Sequence, residues 1–219
     1  MNTQSAPQAE TISGRIFDRL REDLLSGRFQ AGKKLAISSL QTTYQVGLSP
    51  LREALNRLAA TGLLEQENQR GFRVPSLSRT ELDDIVQLRI ELEGMAISRA
   101  LQHGDAEWES ELLAAGHRLK LASQADTPLQ QWEQLHSRFH AALLSSCRSA
   151  WMVRFIHQLH EQFDRYRRNA PRNPGIRDIL NTQHEQLVEL ALARNEADTR
   201  ELLRAHILLS YEAAQASCS

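Results

Sequence analysis

The residues with the most chemistry to offer are histidines. The 219-residue chain carries eight, all beyond residue 100: His103, His117, His136, His140, His157, His160, His184 and His206. His136 and His140 are four apart, so on a helix both imidazoles share one face, a spacing that can chelate a metal ion. His157 and His160 are also one helical turn apart, and spacing alone does not choose between the two pairs. His184 falls in line with Leu180, Leu187 and Val188, and His206 with Leu202, Leu203 and Leu209. Both therefore point inward, where a neutral imidazole needs a partner. An ordinary core hydrogen bond would serve as well as a metal, so both readings stand at this point.

Other reactive groups are sparse. The two cysteines, Cys147 and Cys218, have no short spacing, which excludes a disulfide framework and a cysteine zinc finger. There is no helical His-Glu-x-x-His motif and no activated serine or cysteine constellation, so no residue is assigned a catalytic role. A metal-dependent hydrolase, with the histidines activating water, is kept as an alternative class. An effector-independent structural DNA-binding protein is a third, and it would have no use for inward-facing histidines.

These side chains are carried by helices. Six amphipathic segments, 79–103, 105–124, 128–147, 150–170, 176–194 and 196–216, are separated by Gly104, Thr127-Pro128, Ser145–Ser149, Pro171–Gly175 and Asn195. The prediction for 79–216 is an all-α bundle with its own core. Ahead of it, Gly71-Phe72-Arg73-Val74-Pro75-Ser76-Leu77-Ser78 is extended in character and breaks the helical pattern. Composition is that of a globular protein, 41% hydrophobic and 24% charged, and no window approaches the ~18 apolar residues of a membrane span. The first ten residues lack a basic stretch followed by an apolar one, so a secretory signal is not expected and a cytoplasmic location is.

Residues 1–75 form a different module. They hold ten Lys and Arg against seven Asp and Glu, whereas 76–219 hold sixteen against twenty. A mildly basic front on an acidic rear suits a polyanion-binding unit. Ile12, Ile16, Leu20 and Leu24 mark one helix, stopped at Gly27, and a short second helix is predicted near 38–44. Ser49 suits the N-cap of a third helix, with Pro50 at its first position and Leu51, Leu55 and Leu58 inward. Leu63–Glu67 and Gly71–Val74 read as a hairpin joined by Asn68-Gln69-Arg70. Three helices and a hairpin are the order of a winged helix-turn-helix, in which the third helix reads the major groove and the wing tip approaches the backbone.

Three segments carry a family resemblance. Leu24–Leu35, Pro50-Leu51-Arg52-Glu53-Ala54-Leu55-Asn56-Arg57-Leu58, and Leu63-Leu64 with Arg70-Gly71-Phe72-Arg73-Val74 resemble the loop, recognition helix and wing of GntR-family transcription regulators. The expected DNA contacts are then Ser49, Pro50, Arg52 and Arg57 on the helix and Arg70 and Gly71 at the wing. Leu48 and Ser38 stand where the family often has basic residues, so a known operator sequence does not transfer. Leu48 suits a thymine methyl instead.

Leu135-His136-Ser137-Arg138-Phe139-His140-Ala141-Ala142-Leu143, His184-Glu185-Gln186-Leu187, Ala191–Ala197 and His206 resemble the FCD ligand domain of the FadR subgroup. Gly47–Leu55 and the His-x-x-Phe-His run look most like CsiR-type repressors. That resemblance implies a divalent metal on His136, His140, His184 and His206, with His136 replacing the usual Asp or Asn. Four imidazoles leave a divalent ion its full charge and suit zinc or nickel better than magnesium or calcium. Arg89 matches an arginine of the FCD cavity, although it could equally pair with Glu93 one turn on. Arg165, Tyr166 and Arg167 are also expected at the cavity, with Tyr166 the candidate for effector binding, against the ordinary reading of a solvated face. The resemblance further implies a homodimer on a palindromic double-stranded operator, and a repressor of a catabolic operon released by a small carboxylate. Two separated positive centres, metal and Arg89, would favour a dicarboxylate.

Overall fold

A computed structural model describes residues 11–67, 71–171 and 173–218. The chain divides into two compact units at Leu77/Ser78.

The first unit runs α1 (Ile12–Leu25), β1 (Lys34–Leu35), α2 (Ile37–Tyr44), α3 (Leu48–Ala60), β2 (Glu65–Glu67) and β3 (Gly71–Arg73). Thr11 caps α1 by accepting the Gly14 N–H at 3.1 Å. The Ile16, Leu20, Leu24 stripe of α1 shares one core with Leu51, Leu55 and Leu58 of α3 and with Leu40 and Tyr44 of α2. Each fully buried leucine contributes ~1.5–3 kcal/mol, which fixes α3 on its support. β3 lies between the other two strands and is antiparallel to both, with Leu35 and Gln66 opposite Phe72. The pairing of β1 escaped sequence reading because two residues show no alternation.

The recognition helix starts earlier than expected. Gly47, extended, is its N-cap, and Ser49 and Pro50 lie within the first turn. The N–H groups of that turn have no intrahelical acceptor, so proline gives up nothing there. Leu51 is the residue that bonds back to the Gly47 carbonyl, at 3.3 Å.

The second unit contains α4 (Arg79–His103), α5 (Ala106–Gln124), α6 (Leu129–Leu144), α7 (Ala150–Arg167), α8 (Pro174–Leu192) and α9 (Glu196–Ala214), with 3-10 turns at Ser145–Cys147 and Gln215–Cys218. Helix starts coincide with capping side chains: Ser78, Asp105, Ser149, Asn173 and Asn195 each accept a first-turn N–H. α8 begins two residues before the expected 176 because Asn173 caps it and Pro174 takes the first position. α4 packs on α7 and α9, α5 on α6 and α8, and α8 on α9. No helix of the described residues is long and apolar enough to cross a membrane.

Candidate metal centre and nucleic-acid interface

α6, α8 and α9 deliver histidines to one point in the bundle. One ring nitrogen from each of His136, His140, His184 and His206 falls in a group whose members all lie within 4.8 Å of one another. Helical spacing places His136 and His140 together, with Nε2 atoms 3.1 Å apart. His184 and His206 have ring centroids 4.6 Å apart. Zinc bound at ~2.0–2.1 Å in a tetrahedron needs donors roughly 3.3 Å from each other, so modest rotations complete the set. His206 Nδ1 sits 3.1 Å from Gln183 Oε1, an acceptor that fixes the tautomer and leaves Nε2 as the ligand atom.

Burial makes these imidazoles neutral. Desolvation, followed by neighbouring histidines and, for His136 and His184, the charge of Arg167, holds His136, His140 and His184 well below the ordinary histidine value. Desolvation, followed by the charge of Arg89 against an opposing Glu93, brings His206 to about 3. Each lone pair is therefore available at neutral pH without loss of a proton. Both nitrogens of His184 and Nδ1 of His140 are buried with no hydrogen-bond partner. Orphaned polar atoms cost ~1–3 kcal/mol each, and a cation is the partner that would satisfy several at once.

Beside the cluster is a cavity of about 30 Å³ bordered by Arg89, His140, His160, Arg167, His206 and Ser210 among others. Arg89 lies in this wall as expected and also pairs with Glu93, Nε to Oε1 at 2.7 Å, with both side chains buried. Arg89 thus borders the cavity and pairs with Glu93 at once, and the pair is buried where a surface bridge was the alternative reading. Burial alone would raise the Glu93 carboxyl. Arg89 and His160, whose Nε2 is 2.9 Å from Glu93 Oε1, outweigh that and hold it at about 2. Arg167 lies in the wall too and is gripped by Glu133 and Asp164.

Sequence reading brought Arg167 to the cavity but gave His160 and Glu93 other places; that His160 borders the cavity from α7 and that Glu93 is buried against Arg89 and His160 rest on tertiary contacts that no local spacing reveals. Of the alternative histidine pair, His157 is exposed and only His160 reaches the site. Tyr166 requires a correction. It is fully buried, but its hydroxyl donates to Glu81 and accepts the Ser78 N–H, so it anchors the start of α4 and does not line the cavity. The premise for a dicarboxylate changes as well, since Glu93 neutralises the second positive centre that Arg89 was to provide.

In the first unit, α2 and α3 are joined through Gln45, left-handed at φ 50°, and Val46. Leu48, Ser49 and Arg52 are exposed around the first turn of α3, and Pro50 is half-buried. Arg57 stands apart: it lies in the last turn, with its guanidinium 4.2 Å above the Phe17 ring of α1. Five residues along a helix turn a side chain by roughly 140°, so Arg57 cannot share the face of Arg52. Gly71 opens β3 at φ +134°, a backbone state that favours glycine, and a Cβ there would meet Lys34. Arg70 lies outside the described residues. Glu67 bridges Lys34 at 3.0 Å and Arg73 Nε at 2.6 Å, pinning the strands of the wing together.

A winged helix-turn-helix ahead of a helical bundle with an inward histidine cluster defines a ligand-domain transcription regulator. The family models bear this out: "Bacterial regulatory proteins, gntR family" matches residues 12–74 and "FCD domain" residues 84–209. The chain belongs to the GntR family of transcription regulators, with an FCD domain. It is 41% identical to the HTH-type transcriptional regulator BphR of Paraburkholderia xenovorans (strain LB400), over 87% of this chain and 80% of that one. It is 35% identical to the HTH-type transcriptional repressor GlaR of Escherichia coli (strain K12), over 86% and 89%. The solved E. coli McbR/YncC shares the fold at TM-score 0.75 and 22% identity, covering 90% of this chain and 94% of that one. These findings give no support to the hydrolase alternative.

Proposed function

We propose that this regulator is a repressor whose hold on DNA is released by a small carboxylate bound beside a divalent ion. The observation that carries the reading is the set of four neutral, convergent imidazoles, three buried and His136 half-buried, next to a cavity walled by Arg89 and Arg167. His136, His140, His184 and His206 would hold the ion, zinc or nickel by donor chemistry. When bound, it supplies a Lewis-acidic positive centre that attracts an anion.

The cavity is about the size of one water, so an acid enters by displacing a side chain. Arg89 offers the exchange: it trades Glu93 for the ligand carboxylate, held by two parallel hydrogen bonds. α4 carries both residues and follows directly on the DNA-reading unit in the chain, so a change in α4 is a route to that unit. A ligand shifts the balance only by its differential affinity for the two arrangements. The acid proposed is small and carboxylic. A dicarboxylate retains only the metal as an unneutralised centre.

The DNA contacts proposed are Ser49, Pro50 and Arg52, with the wing at Gly71 and Arg70; Arg57 is left out because it packs on Phe17. A homodimer on a palindromic site is part of the reading, since one recognition helix reads half a site. Leu88 and Met95 on α4, and Trp151 and Phe155, whose rings lie against each other on α7, are exposed apolar side chains on two helices that pack together, which suits a second copy. A thermal-shift screen of small acids, with and without chelator, tests the reading. One acid should raise the transition of metal-loaded protein and fail after chelation. Stabilisation by neutral sugars alone would overturn it.

A further inference from the structure

A second, larger chamber adjoins the first in the same bundle, with Arg167 in the wall of both. Its volume is about 300 Å³, the lower end of the range for small-molecule sites, and apart from Arg167 and its partner Glu133 its lining plays no part in the metal-site reading. Leu129 and Trp132 of α6, Ile176 and Leu180 of α8, and Ala213 of α9 supply apolar walls. Arg177 stands at the chamber with its guanidinium 4.8 Å from the centre of the Trp132 ring. It meets no carboxylate among the described residues. The first turn of α8, at Asn173 and Pro174, borders the same space and adds the positive end of a helix. The acids at this end are already committed, since Glu133 is locked to Arg167.

A largely apolar hollow beside a cation that no described carboxylate meets has a definite complement. We propose that this chamber binds an amphipathic monocarboxylate: the carboxylate on Arg177, and an unbranched or aromatic body of about six to eight carbons against Leu129, Trp132, Ile176, Leu180 and Ala213. The site adjoins the anion cavity at the histidines, sharing Arg167 with it, and touches the histidine cluster through one ring. Trp132 is stacked on His136, centroids 4.8 Å apart and planes 15° from parallel, while Arg177 covers it. Its Nε1–H donates to Ser123 Oγ at 2.9 Å, which holds the ring in place. A carboxylate that draws Arg177 off the indole, or a body that presses on it, therefore acts on a ring that orients one of the four clustered histidines.

The test is calorimetric titration of the full-length, metal-loaded protein with butanoate, hexanoate and octanoate, and with octanol as the uncharged control. Affinity should rise about fourfold for each added methylene, as ~0.8 kcal/mol per buried CH₂ requires. Arg177→Gln should weaken octanoate about tenfold and leave octanol unchanged. Ala213→Trp, which fills the chamber, should abolish the chain-length dependence; Ile176→Asp should do the same should the bulky variant fold poorly. Octanoate and a short diacid such as succinate should bind without competing. Affinity that is flat with chain length, an Arg177→Gln variant equal to wild type, or competition between octanoate and succinate would each overturn the proposal. The last result would leave the metal-site reading intact, because it would place both acids there.

Discussion

At the scale of single residues, the strongest statements concern which histidines meet. His136 and His140 come from one helix turn, and His184 and His206 complete the group from α8 and α9. His157, equally well spaced in sequence, points outward. Removing one ligand of four should strip the ion, so His140→Ala should carry little or no metal by elemental analysis while His157→Ala keeps the wild-type content. Equal content in the two variants would mean that the ion sits elsewhere. His136→Asp keeps a ligand and lowers the site charge by one. It should retain metal and bind small acids more weakly, which calorimetry would show as a raised Kd.

Arg52 belongs to the same scale. It is exposed on the first turns of α3 and paired with nothing among the described residues. Arg52→Ala should cost ~1–3 kcal/mol of operator affinity if the guanidinium reads a base edge. If it meets phosphate, all sequences should weaken alike, with a shallower dependence on salt. Wild-type affinity in a gel-shift series would contradict both forms. Arg57→Ala should leave operator binding near wild type and destabilise the first unit, because its contact is with Phe17.

At the scale of elements, much was legible because helix punctuation in this chain is chemical. Capping residues and glycines mark the helix ends, and the six segments read from the bundle correspond to α4–α9 within a few residues. β1 was not legible, since a two-residue strand exists only through its pairing with β3. The neighbours of the metal centre were also hidden. Glu93 looks like a surface partner of Arg89 in sequence, yet it is fully buried and bears on α7 through His160. A buried pair with one charge removed is strongly destabilising, so Glu93→Gln should lower the stability of the bundle by roughly 3–5 kcal/mol. Urea unfolding should show this as a reduced midpoint. A surface-like loss below about 1 kcal/mol would contradict the buried arrangement.

At the scale of the whole molecule, the bundle is built around groups that must stay neutral. In chelated protein the clustered histidines resist protonation when folded, His206 down to about 3, whereas unfolded histidine titrates near ~6.5. The unfolded state then binds more protons, and stability is lost as pH falls below ~6.5. Glu93, ordinarily near 4.5 and held at about 2, adds its own loss only below that ordinary value. Between pH 6.5 and 4.5 the decline therefore belongs to the histidines, steepening toward ~1.4 kcal/mol per pH unit for each. Denaturation midpoints that stay flat across that window would mean the imidazoles are not buried as described.

The same buried centre is proposed to govern DNA, and that link is tested most directly by fluorescence anisotropy of labelled operator DNA. The DNA is taken from upstream of the regulator's own coding region, and small acids are titrated into the bound complex. The account predicts that metal-loaded wild type releases the DNA with one small carboxylate. Arg89→Ala should need a markedly higher concentration, and His140→Ala should fail to respond while still binding DNA. Release of wild type and both variants at the same acid concentration would contradict it.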